Sequence, residues 1–204
     1  MVEFSGNLLH AERKTAGTGG IISVAKYASA AESEGHIFEI VGWLKSPIKR
    51  KNLQGRTDYF QRYELGFSDQ WELAHLWAPR FGDESGAGIL WAPVEMNQTY
   101  QNHLLESWLD ILRSSAAGQV KLRATATSWN SAYLARYYGW SSATLARADF
   151  LKRVSYQIVQ CPAGMVCPKS HVKLLGCKII LELAPPSPGK VPKVRLPSVE
   201  LPKS

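Results

Sequence analysis

Apolar and polar residues alternate with a period of two along several separate stretches of this chain, at residues 36–44, 58–67, 71–77, 120–127 and 150–159. Side chains on a strand point alternately to opposite faces, so each stretch reads as a strand with one covered face. Only Ser68, Asp69 and Gln70 separate the second stretch from the third, which predicts an antiparallel hairpin with His75 near its end. Residues 178–183 add a last strand, and a short apolar patch at 21–25 adds an edge strand. A chain dominated by such segments must build an antiparallel sheet.

Two departures from alternation organise the rest. Residues 94–113 place Leu104, Leu105, Trp108, Leu109 and Leu112 at helical spacing after Pro93, and Ser114-Ser115 closes the run. Residues 78–92 hold Pro79, Gly82, Gly86 and Gly88, which predicts a loop. A short helix is expected between Trp129 and Asp149, with no evident cap. The fold class is therefore α+β. Residues 1–35 are small and polar and read as a flexible N-terminal arm, 36–183 as the domain, and 184–204, which contain six prolines, as a tail that is mobile or laid along a surface.

Charge narrows the partners. Twenty-four Lys and Arg against seventeen Asp and Glu give a formal charge of +7, a field that draws anions such as DNA or RNA. No apolar stretch approaches the length of a membrane span, so no membrane insertion is expected. The N-terminal Met-Val-Glu-Phe lacks the basic start of a signal peptide, so export is expected to use a dedicated delivery route.

The chemistry concentrates between Trp71 and Trp108: a strand ending in His75, a Gly-rich loop, then a helix opening with Asn97-Gln98. Histidine is the side chain whose ordinary pKa suits a general base near neutral pH. Mg²⁺ keeps most of its waters and needs only one or two protein oxygens, which one asparagine carbonyl begins to supply.

At Ala74-His75-Leu76, Arg80-Phe81-Gly82, Ala92-Pro93, Asn97-Gln98 and Leu104-Leu105-Glu106 the chain resembles the DNA/RNA non-specific endonucleases of the His-Me finger (ββα-metal) superfamily, in the short form found in bacterial toxin domains. The resemblance spans about residues 58–160. It implies an antiparallel sheet carrying a ββα-metal nuclease core, with His75 as general base, Mg²⁺ or another divalent cation such as Mn²⁺ on Asn97, and Glu72 orienting the histidine or supporting the metal. It further implies DNA, ahead of RNA, as substrate, a cognate immunity protein, and action in the cytoplasm of a target cell. Where that family carries Asp-Arg-Gly before the histidine, this chain has Glu72-Leu73-Ala74, so a phosphate-binding arginine would have to come from elsewhere, with Arg80, Arg62 and Arg123 the candidates. Glu106 follows Asn97 by nine positions, which at ~100° per residue falls on the opposite side of an α-helix, and it is not assigned to the site.

Other readings stay open. Cys161, Cys167, His171 and Cys177 are four zinc-ligand types in a short span, which suits a non-enzymatic basic binding module, or else buried thiols or one disulfide. A metal-independent RNase would use His75 and His103. His10, His36 and, outside that last reading, His103 are taken as structural or solvated. Trp77 and Trp91 flank the Gly-rich loop, where they would stack on bases.

Overall fold

A computed structural model describes residues 6–13, 20–49, 70–115, 119–139, 148–166 and 173–202. Seven strands form one antiparallel sheet in the order β1(Gly6–Arg13), β2(Ile21–Ser29), β3(Glu34–Trp43), β6(Lys121–Trp129), β7(Leu151–Gln160), β8(Lys178–Glu182) and β9(Ser198–Glu200). A separate hairpin pairs β4(Trp71–His75) with β5(Ile89–Pro93) in unbroken antiparallel register, Trp71 opposite Pro93 through His75 opposite Ile89.

The alternation read from the sequence sorts the two faces of the large sheet. Val24, Phe38, Ile40, Leu122, Ala124, Ala126, Val154, Tyr156 and Leu181 belong to one buried cluster together with Ala74, Leu76, Met96, Leu105 and Leu109. The hairpin and the long helix therefore cover that face. The intervening residues, among them Glu39, Arg123, Thr125, Arg153, Ser155 and Gln157, stand on the other. Tyr156 ties the layers: its hydroxyl donates to the Leu76 carbonyl at 2.7 Å and accepts from Gln101 Nε2 at 3.1 Å. Its hydroxyl pKa is driven well upward, first by burial and then by the Glu106 carboxylate.

Several expectations change. Residues 6–13 and 21–29, read as an arm with at most an edge strand, are two full strands of the main sheet. Within the expected loop at 78–92, Ile89–Pro93 is β5, and every one of its residues is buried. A strand covered on both faces loses the polar half of its alternation. The described partner of β4 is β5, while the strand expected at 58–67 lies outside the described residues. The short helix is α2(Ser131–Tyr138), and it does have caps: Asn130 Oδ1 accepts from Ala132 N at 2.9 Å and Tyr133 N at 3.1 Å, and Gly139 closes it at φ 64°. The Pro-rich tail returns along the sheet edge, with β9 paired to β8.

The expected helix is present, but its winding differs. It runs as a π-helix over Glu95–Glu106 and continues as α1(Ser107–Ser115). Bonding five residues back widens each turn. The buried polar residues Asn97, Gln101 and Glu106, spaced by four and then five, therefore share the inward side.

Candidate functional site

Strand β4 ends at His75, and the chain then enters a 3-10 turn, Pro79–Phe81, closed by Gly82 at φ 89°. Lys45 N donates to Phe81 O at 2.9 Å, pinning the turn to the segment after β3. Asp83 anchors the loop beyond the turn, accepting from Ile21 N at 3.1 Å and from Glu84 N at 2.8 Å. This aims Glu84 back at the strand. His75 Nε2 lies 2.9 Å from Glu84 Oε1, with the two side chains only 8% and 1% exposed. The sequence reading does not include this carboxylate; its one signal is the acidic pair Asp83-Glu84 directly after a Pro and Gly turn.

A second cluster forms at the start of the helix. Glu72 accepts from Asn97 Nδ2 at 2.8 Å and from Gln98 Nε2 at 3.0 Å. Glu72 and His75 are three positions apart on a regular strand, so their side chains leave on opposite faces. The structure thus brings Glu72 to Asn97 and His75 to Glu84, and does not gather all four into one group. Gln101 Nε2 reaches only the backbone of His75, donating to its carbonyl at 2.5 Å.

The expected phosphate-binding arginines are dispersed. Arg80 Nε bonds Asp110, with Glu106 4.0 Å from its Nη1, and Arg113 lies 3.3 Å from the same Asp110. Arg123 is on the far face of the sheet, 3.2 Å from Glu39, whose carboxyl is pushed up by burial against the pull of Arg123. Arg62 lies outside the described residues. Glu106 is not opposite Asn97, as α-helical geometry implied, because the π turns bring both to the inward side.

A divalent cation on Asn97 beside His75 is what the sequence resemblance implies. Asn97 meets Glu72 through its amide nitrogen, which is not the atom that ligates a cation, and His75 is paired with Glu84. Among the described residues no group of three or more His, Cys, Asp or Glu is placed to hold a metal ion. Of the candidate zinc ligands, Cys161 is a free thiol, Cys177 Sγ donates to Lys173 O at 3.0 Å, and Cys167 and His171 lie outside the described residues. His103 Nδ1 bonds the Gln98 carbonyl on the exposed side of the helix. Trp77 and Trp91 are buried in the core and present no face for stacking on bases.

His36, read as structural or solvated, belongs to a cluster the sequence did not disclose. Its Nδ1 lies 2.6 Å from Asp149 Oδ1, Ser128 Oγ donates to the same oxygen at 3.0 Å, and Lys26 Nζ is 3.3 Å from Oδ2. Burial alone would raise the Asp149 carboxyl; the His36 hydrogen bond, Lys26 and Ser128 outweigh it and hold the group below its ordinary value. A depressed carboxyl stabilises the fold above its unfolded pKa and loses that contribution as pH falls through the native one. Asp149→Asn is expected to cost about 1.5–3 kcal/mol at neutral pH, the range for hydrogen bonds to a charged group. The deficit should shrink toward pH 3. Urea midpoints measured from pH 7 to 3 check this, and a deficit independent of pH would count against it.

No described helix is long and apolar enough to cross a membrane. Compared with known proteins, residues 68–166, just under half of the chain, match the family model Ntox4, Bacterial toxin 4. That stretch, which contains His75, Glu84, Asn97, Gln101 and Asp149, is thus similar to a bacterial toxin domain. No curated protein and no solved structure matches the chain.

Proposed function

We propose that the region similar to a bacterial toxin domain is an effector that cleaves phosphodiester bonds of nucleic acid, with His75 as its acid–base group. The observation that carries this reading is the buried His75–Glu84 pair, 2.9 Å apart, on a strand–strand–helix unit inside the toxin-like stretch. A carboxylate on one ring nitrogen fixes the orientation and tautomer of an imidazole. It also stabilises the imidazolium formed when the other nitrogen takes a proton. Burial keeps the pair in one geometry, which proton transfer at phosphorus requires. The net charge of +7 supports a polyanionic substrate. Delivery to a target cell and protection of the producer by an immunity protein follow from the same reading.

Strand–strand–helix order and the Glu72–Asn97 contact make a metal-assisted variant of this chemistry testable. The full chain incubated with plasmid DNA and with total RNA, in Mg²⁺ or in EDTA, is expected to degrade one of them. The EDTA arm reports whether a divalent ion takes part. Intact DNA and RNA under both conditions would remove the nuclease reading.

A further inference from the structure

The sheet face turned away from His75 carries a cavity of about 310 Å³, lined among others by Arg123, Thr125, Arg153, Ser155, Gln157 and Lys178. Strand register explains the grouping. Thr125 stands opposite Ser155, Arg123 opposite Gln157, and Gln157 in turn opposite Lys178, so cations and neutral donors from β6, β7 and β8 share one patch. Such a volume lies at the lower end of small-ligand sites.

The cations differ in how firmly they are held. Arg123 is held by Glu39 at 3.2 Å. Arg153 is 44% exposed and has Glu34 only at 3.9 Å, while that carboxylate already takes Lys152 Nζ at 2.8 Å and Ser29 Oγ at 2.9 Å. Lys178, 32% exposed, meets Glu200 at 3.3 Å, and Glu200 sits on the three-residue edge strand β9 with its side chain 58% exposed. Exposed pairs of that kind contribute little, so an incoming anion can displace Glu200.

We infer that this cavity is a phosphate-ester binding site in which the Arg153 guanidinium and the Lys178 ammonium take the anionic oxygens and Ser155 and Gln157 donate to them. Glu200 is its competitor: the tail strand lays a carboxylate against the cation that the ligand needs. The site lies across the sheet from His75 and does not rest on the nuclease reading. A nucleic-acid strand and a free nucleotide supply the same group.

The test is fluorescence anisotropy of a fluorescein-labelled single-stranded oligonucleotide on the full chain, repeated on His75→Ala so that cleavage cannot distort the titration. Arg153→Ala and Lys178→Ala are each expected to weaken binding about tenfold, the lower range for a charge-assisted hydrogen bond. Glu200→Gln is expected to tighten it several-fold. Arg136→Ala, a cation 67% exposed outside the cavity, should leave it unchanged. Competition with a mononucleotide identifies the source: displacement shows that one phosphate ester suffices, and failure to displace shows that a strand is required, and both support the site. No binding overturns the proposal. So does equal weakening by Arg136→Ala, which would make the attraction diffuse, or an affinity that Glu200→Gln does not raise. Melting temperatures of all five variants confirm that each is folded.

Discussion

His75→Ala is expected to lower nucleic-acid cleavage by about 10²- to 10⁴-fold, the range a positioned general base supplies. Glu84→Gln should fall in the same range from the other side, because it keeps the shape of the side chain but removes the charge that stabilises the imidazolium. Groups that act as a unit are not additive, so the double variant should be no slower than the worse single one. Stability must be read in parallel. Removing the imidazole leaves a carboxylate that is 1% exposed, and taking a partner from a buried polar group costs about 1–3 kcal/mol, more when the group is charged. Glu84→Gln avoids most of that penalty. It is therefore the cleaner probe: a folded Glu84→Gln protein cleaving at the parental rate would leave the pair a structural feature only.

What the sequence discloses depends on whether the signal is local. The strand expected at 36–44 alternates cleanly because one face meets the core and the other meets solvent, and the structure has it as Glu34–Trp43. Ile89–Pro93 has no polar half to reveal it. The first two strands are small and weakly patterned, and the pairing of β1 to β2 and of β2 to β3 supplies what periodicity does not. On the long helix, a period of 3.6 was the wrong ruler. The π turns that set Gln101 against Tyr156 also carry Glu106 to the inward side, and nothing in the composition announces them. The site shows the same division. The sequence offers His75 and Asn97 as candidates, and the toxin character implied by the resemblance agrees with the match over residues 68–166. The pairing of His75 with Glu84 depends on how one loop folds back, and that of His36 with Asp149 joins residues 113 positions apart. Such contacts are products of topology.

The loop that aims Glu84 turns at Gly82, where Gly82→Ala is expected to be strongly damaging. A Cβ there would lie 2.3 Å from Lys45 Cβ and 2.8 Å from the Lys45 backbone, at φ +89°. The left-handed backbone alone costs a non-glycine residue about 1–2 kcal/mol. Forced overpacking adds about 1–3 kcal/mol, and the obstacle is backbone that cannot swing aside. Relief requires the turn to move off Lys45. Movement there breaks the Lys45 N to Phe81 O bond and drags Asp83 and Glu84 with it, so His75 loses its partner as the fold weakens. Gly139→Ala is the control, since φ is +64° and a Cβ meets nothing within 4 Å. It bears the conformational cost without the collision and lies far along the chain from the pair. Thermal unfolding and cleavage assays on both variants separate the two costs. Gly82→Ala should be the less stable by about 1–3 kcal/mol, on the overpacking scale, and should lose activity at temperatures where it remains folded, whereas Gly139→Ala should keep it. Equal melting temperatures would mean that the contact with Lys45 does not fix the turn, and full activity in folded Gly82→Ala would mean that the turn does not set Glu84.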